Sequence, residues 1–156
     1  MISRWLTVPY KRYRPVKKTD PQRHKLYSME RELIGQSIHT RSSRKHLRDV
    51  IAHACRKYKV KPIALRFINK PEEKLFGYHE APPPAIVLNQ GFHGANLFTL
   101  LHELAHYITD CKYTDVPDHG PEFVKVYMDL LHRYRIIPDY VFKVMAQRHG
   151  VTWGQN

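Results

Sequence analysis

Thr99-Leu100-Leu101-His102-Glu103-Leu104-Ala105-His106-Tyr107 decides how the rest of this 156-residue chain is read. His102, Glu103 and His106 spell H-E-x-x-H. Four residues turn an α-helix through about 400°, so the two histidines lie about 40° apart, one turn above each other. Two imidazoles set that way can grip one zinc ion, and the glutamate beside them can take a proton from a water on that ion. Leu97, Leu101, Leu104 and Ile108 fall within about 60° of each other on the same helix and predict its buried stripe. The histidines lie off that stripe. The pattern therefore predicts a helix from about Ala95 to Asp110, packed on one side and carrying chemistry on another.

The flanks predict an α+β protein. Ala85-Ile86-Val87-Leu88-Asn89 reads as a strand that feeds the loop Gln90 to Gly94 and then the zinc helix. Ile63 to Ile68 and Leu75 to His79 read as two more strands. Pro82-Pro83-Pro84 forbids a tight two-residue hairpin between the last two. The strand before the zinc helix is expected at a sheet edge, where an extended peptide could pair with it. Asp20-Pro21 signals a helix start, an N-cap followed by proline, running to about Gly35. Ser42 or Ser43 caps a second helix to about Tyr58, with Leu47, Val50, Ile51, Ala54 and Cys55 inward. His119-Gly120-Pro121-Glu122-Phe123 opens another helix, with Pro121 at its first position and Glu122 at the positive end of its dipole. A last helix starts at Pro138 and stops before Gly150.

Composition narrows the class. The chain is 42% hydrophobic, long enough to bury one core. Cys55 and Cys111 are its only cysteines, which excludes a cysteine zinc ribbon and argues against a disulfide framework. Cys55 sits in an apolar stripe and reads as packing. The opening MISRWLTVPYKRYRP has no apolar run, which predicts no signal peptide, no membrane span and a cytoplasmic location. The net charge is +12, and it is uneven: residues 1–61 hold 17 Lys/Arg against 4 Asp/Glu, residues 62–156 hold 9 against 10. Concentrated positive charge points to nucleic acid as a partner. The candidate contacts are Lys11, Arg12, Arg14, Lys17 and Lys18 in an extended arm, and Arg44, Lys45 and Arg48 on the second helix. Trp5, Tyr10 and Tyr13 interleave the arm and suit stacked bases.

A catalytic zinc takes three protein ligands and keeps one position for water. The helix supplies two. The extended form H-E-x-x-H-x-x-G-x-x-H fails, because Thr109 and Lys112 stand in its glycine and histidine places. His119 is the leading third ligand: residues 111–118 form a loop able to fold the next helix back, and Gly120-Pro121 would fix the turn that aims it. Glu122, Asp118, Asp115 and Asp110 compete. Asp110, Asp115 and Asp118 are also candidates to accept hydrogen bonds from the ligand histidines. For the group that stabilises an oxyanion the candidates are Tyr113, His93 and His132.

LLHELAHY followed by DHGPEFVKVYMDLL resembles the SprT-like (Spartan-type) zinc metalloproteases. Their pattern is H-E-x-x-H, a short gap, then H-G-x-x-F opening a helix; here these are His102, Glu103, His106, His119, Gly120 and Phe123. The resemblance covers about residues 43–134. It implies a zincin-like domain, one Zn²⁺ held by His102, His106 and His119, and Glu103 as the catalytic residue. TDPQRHKLYSMERELIG is also similar to the opening of small SprT-like metallohydrolases from actinobacteria and their phages, which would put the protein in a host cytoplasm or a virion. The cysteine zinc ribbon that many members carry is missing.

The expectation is then a compact α+β metalloprotease domain with a small three-stranded sheet packed on helices. Residues 1–42 form a basic arm and helix, 43–150 the metallohydrolase core and 151–156 a tail. It would cleave a protein or peptide substrate, near nucleic acid and away from membranes. The alternative is a non-enzymatic basic module that keeps zinc for stability and binds DNA or a virion partner. Glu103 separates the two, since a purely structural site needs no general base.

Overall fold

The apolar run Ala85–Asn89 sets the sheet. All five residues are buried, and Ile86, Val87 and Leu88 are fully so. A strand without a polar face belongs in the middle of a sheet. The computed structural model describes residues 19–34, 41–74, 76–80 and 83–154. Along them run α1 (Arg23–Ile34), α2 (Arg44–Tyr58), β1 (Ala64–Ile68), β2 (Gly77–Glu80), β3 (Ala85–Asn89), a 3₁₀ turn (Gln90–Phe92), α3 (Leu97–Lys112), α4 (Pro121–Arg133) and α5 (Asp139–His149). Among the described residues the protein is thus α+β, with five α-helices and one small sheet. The described residues fall into two compact units, 41–104 and 19–34 with 105–154. The boundary crosses α3, which is one continuous helix.

In the first unit the strand order is β1-β3-β2. β3 runs parallel to β1, with Ala64 opposite Ala85, and antiparallel to β2, with Glu80 opposite Ala85. The expectation of an edge strand before the zinc helix is therefore wrong: both flanks of β3 are occupied. Its missing polar alternation was the sign. Asn89 ends β3 fully buried, and its amide is spent on the chain around it. It accepts from Lys70 N at 2.9 Å and Gly91 N at 3.2 Å, and donates to Lys70 O at 2.9 Å. That ties the β1–β2 loop to the 3₁₀ turn, which the sequence presents only as a loop. Asn96 then caps α3, its Oδ1 accepting from Thr99 N at 2.8 Å. Between them Gly94 lets the chain pass a neighbour: a Cβ there would stand 1.7 Å from Phe76 O. Ser43 caps α2, accepting from His46 N at 3.1 Å.

In the second unit α5 packs against α1 and α4. Leu26 and Met29 of α1, Phe123, Tyr127, Leu130 and Leu131 of α4, and Phe142 of α5 are all buried to 1% exposure or less. Arg148 and His149 at the end of α5 bond the two oxygens of Glu32, His149 Nε2 at 2.6 Å. Gly150, at φ +68°, closes α5 in the left-handed region that glycine favours. The start of α1 departs from expectation. The helix begins at Arg23, and Asp20 does not cap it, because both carboxylate oxygens are turned to His119.

The predicted stripe of α3 is buried at Leu101, Leu104 and Ile108, but so are Phe98, Leu100, Ala105 and Tyr107. α3 is thus buried around most of its circumference between Phe98 and Thr109, with Thr99, Glu103, His106 and Thr109 among the buried residues. No helix among the described residues is long and apolar enough to cross a membrane.

Candidate metal centre

α3 fixes two of the three histidines. His102 and His106 are one turn apart on it, the stacking that the i, i+4 spacing requires. His119 stands two residues before α4, and Gly120-Pro121 start that helix as expected, with Pro121 at its first position. The ligand nitrogens of His102, His106 and His119 all lie within 4.8 Å of one another. Of the competing third ligands proposed from sequence, none joins this group among the described residues. All three imidazoles are buried at the cluster, although His102 taken as a whole residue keeps some exposure. His106 is 7% exposed and His119 4%.

Aromatic packing holds the rings. The His106 and His119 rings meet edge to face, centroids 4.7 Å apart. Phe123, fully buried one turn into α4, lies 4.4 Å from the His106 ring and 5.0 Å from that of His119. The phenylalanine of H-G-x-x-F thus backs both imidazoles and limits their rotation.

The cluster passes a simple test of fit. Zinc–nitrogen bonds of about 2.0–2.1 Å with tetrahedral angles put ligand nitrogens about 3.4 Å apart. The three ligand nitrogens, all within 4.8 Å of one another, stand close enough to share one ion. Three neutral imidazoles suit zinc, copper, iron or nickel better than magnesium or calcium, which take oxygen ligands.

His119 is bonded on every side. Its Nδ1 lies 2.6 Å from Asp20 Oδ2, and its backbone N–H donates to Asp20 Oδ1 at 3.3 Å. Its carbonyl accepts from Gln22 Nε2 at 2.7 Å, and its Nε2 lies 3.3 Å from the Tyr27 hydroxyl. Gln22 is itself buried and also bonds Thr152, accepting from its backbone N–H at 2.9 Å. Burial pushes the Asp20 carboxyl up, but its bond to His119 and the nearby charges of His119 and Arg23 outweigh that. The net effect is a pKa below the usual aspartate value. The sequence points instead to Asp110, Asp115 or Asp118 for this carboxylate; Asp20, 99 residues before His119, carries no local sign of the contact.

Glu103 follows His102 on α3 and is 8% exposed. The suggested oxyanion groups are scattered. His132 is exposed in the last turn of α4, about 16 Å along the helix from its start. His93 is exposed and left-handed after the 3₁₀ turn, and Tyr113 follows α3.

The suggested nucleic-acid residues divide. Lys11, Arg12, Arg14, Lys17 and Lys18 lie outside the described residues. Arg44 and Arg48 lie over the Phe67 ring, 4.6 Å and 5.8 Å from its centroid, and Arg44 also donates to Gln90 Oε1 at 3.0 Å. Lys45 pairs with Asp49 at 2.6 Å on the exposed face of α2. Each of the three has a partner within the first unit.

No family model matches the chain, and no curated protein or solved structure matches it either.

Proposed function

We propose that this protein is a zinc-dependent endopeptidase of the SprT-like kind, with a zincin-like fold, working in the cytoplasm close to nucleic acid. The observation that carries the reading is the meeting of His102, His106 and His119 within 4.8 Å, with Glu103 on the same helix as two of them. A structural metal site would need only ligands. Here a carboxylate is placed directly after the first of them, on a helix that otherwise buries apolar side chains.

Zinc held by the three imidazoles would supply Lewis acidity, polarising a peptide carbonyl and bringing the pKa of water toward about 7. Neutral ligands leave the ion its full charge. The protein's own work is proton handling and exclusion. Glu103 takes the proton of the attacking water and returns it to the leaving amine. Phe123 and the packed sides of α3 keep bulk water from the histidines. The basic surplus of residues 1–61 supports a polyanionic partner, which would bring the enzyme to proteins on nucleic acid.

Metal content and casein cleavage, with and without DNA, test the reading on wild type and Glu103→Gln. Zinc retained and cleavage lost in the variant is the expected result. A wild type that holds zinc and cleaves nothing under either condition would leave the non-enzymatic module as the better reading.

A further inference from the structure

We propose that Asp20 is a positioning residue for the metal centre, fixing both the tautomer and the direction of the His119 ring. The inference rests on the metal-site reading above. It adds a residue from the segment before α1, far from the motif in sequence.

The geometry is specific. An ionised carboxylate only accepts hydrogen bonds. Asp20 Oδ2 at 2.6 Å from Nδ1 therefore requires a proton on Nδ1, and in the neutral imidazole Nε2 then carries none. Bare Nε2 is the form that binds a metal, and a carboxylate behind Nδ1 makes it more basic. The Tyr27 hydroxyl, 3.3 Å from Nε2, donates to a bare ring nitrogen or accepts from a protonated one, so it fits either tautomer and leaves the choice to Asp20. The backbone of His119 is held as well, its N–H by Asp20 Oδ1 and its carbonyl by Gln22 Nε2, and the ring itself lies 5.0 Å from that of Phe123. The Asp20 side chain is 18% exposed and that of His119 5%, so water competes poorly for these bonds.

Two contacts on one residue make the prediction directional. In Asp20→Asn, the backbone N–H of His119 still needs an acceptor, which must be the amide oxygen. The amide nitrogen then faces Nδ1 and donates to it. The ring proton moves to Nε2, the nitrogen needed by the metal. Shape is nearly unchanged while the site is turned from metal-ready to blocked.

The test uses the full chain. Nitrogen-15 and carbon-13 shifts of His119 without metal, at mildly alkaline pH, report the tautomer. Zinc competition against a chromophoric chelator reports affinity. The wild type is expected to be protonated at Nδ1 and Asp20→Asn at Nε2, with zinc bound about 10–100-fold more weakly by the variant. Asp20→Glu, which keeps a carboxylate, should recover part of the affinity and the Nδ1 proton. Thermal unfolding of the metal-free variants separates these effects from loss of fold. An Nε2-protonated wild type, or folded Asp20→Asn with affinity within about twofold of wild type, overturns the assignment. Failure of the wild type to take zinc overturns the functional reading instead, and the metal-free tautomer still decides Asp20.

Discussion

On the proposed metallopeptidase reading, Glu103 and the three histidines make separable contributions. Replacing His102, His106 or His119 with Ala removes one of three ligands and should drop the bound zinc from about one equivalent to near none, measured by elemental analysis after gel filtration. Glu103→Gln should keep the zinc and lower cleavage by about 10²–10⁴-fold, the usual worth of a general base. The three histidines are legible in the sequence because their spacing is local: one helical turn, then a short loop closed by Gly120-Pro121. Asp20 is not. Nothing in a stretch reading Thr-Asp-Pro-Gln says that its carboxylate will bond a residue 99 positions later. The pattern instead matched a helix cap, and local chemistry of that kind gives way when a buried imidazole offers a better partner.

The elements were read mostly where their edges carry a mark. Ser43, Pro121 and Gly150 stand at helix ends, and α2, α4 and α5 start or stop beside them. β3 was placed over its true residues but at the wrong position in the sheet, since pairing order depends on partners and not on the strand alone. The loop around Gly94 is a place where one atom decides the path. Gly94→Ala would put a methyl group against Phe76 O, and should cost about 3 kcal/mol in urea unfolding, the upper range for overpacking. The tie between α1 and α5 depends on pH. The bond from His149, opposed by burial and joined by the charges of Arg148 and His149, holds the Glu32 pKa below its ordinary value of 4.5. A lowered carboxylate stabilises the fold above pH 4.5, and that contribution is lost as pH falls through the folded pKa. Glu32→Gln should therefore lower the urea midpoint at neutral pH and narrow its gap to wild type as the solution is acidified below 4.5.

Over the molecule as a whole the charge is lopsided, and that asymmetry was plain from composition. If it serves nucleic acid, binding to duplex DNA should fall steeply with salt, and deletion of residues 1–18 should weaken binding and flatten the slope. Fluorescence anisotropy across a salt series measures both, and salt-independent binding would dismiss the partner. Arg44 and Arg48, already placed over Phe67, should matter less than the arm. The bonds of Gln22 have another outcome. They join the residue that supports His119 to Thr152, 130 positions away. A nascent chain therefore displays its H-E-x-x-H helix well before the ribosome has released the stretch that braces the third histidine. The third histidine of the cluster thus lacks its strut until the stretch around Thr152 has emerged.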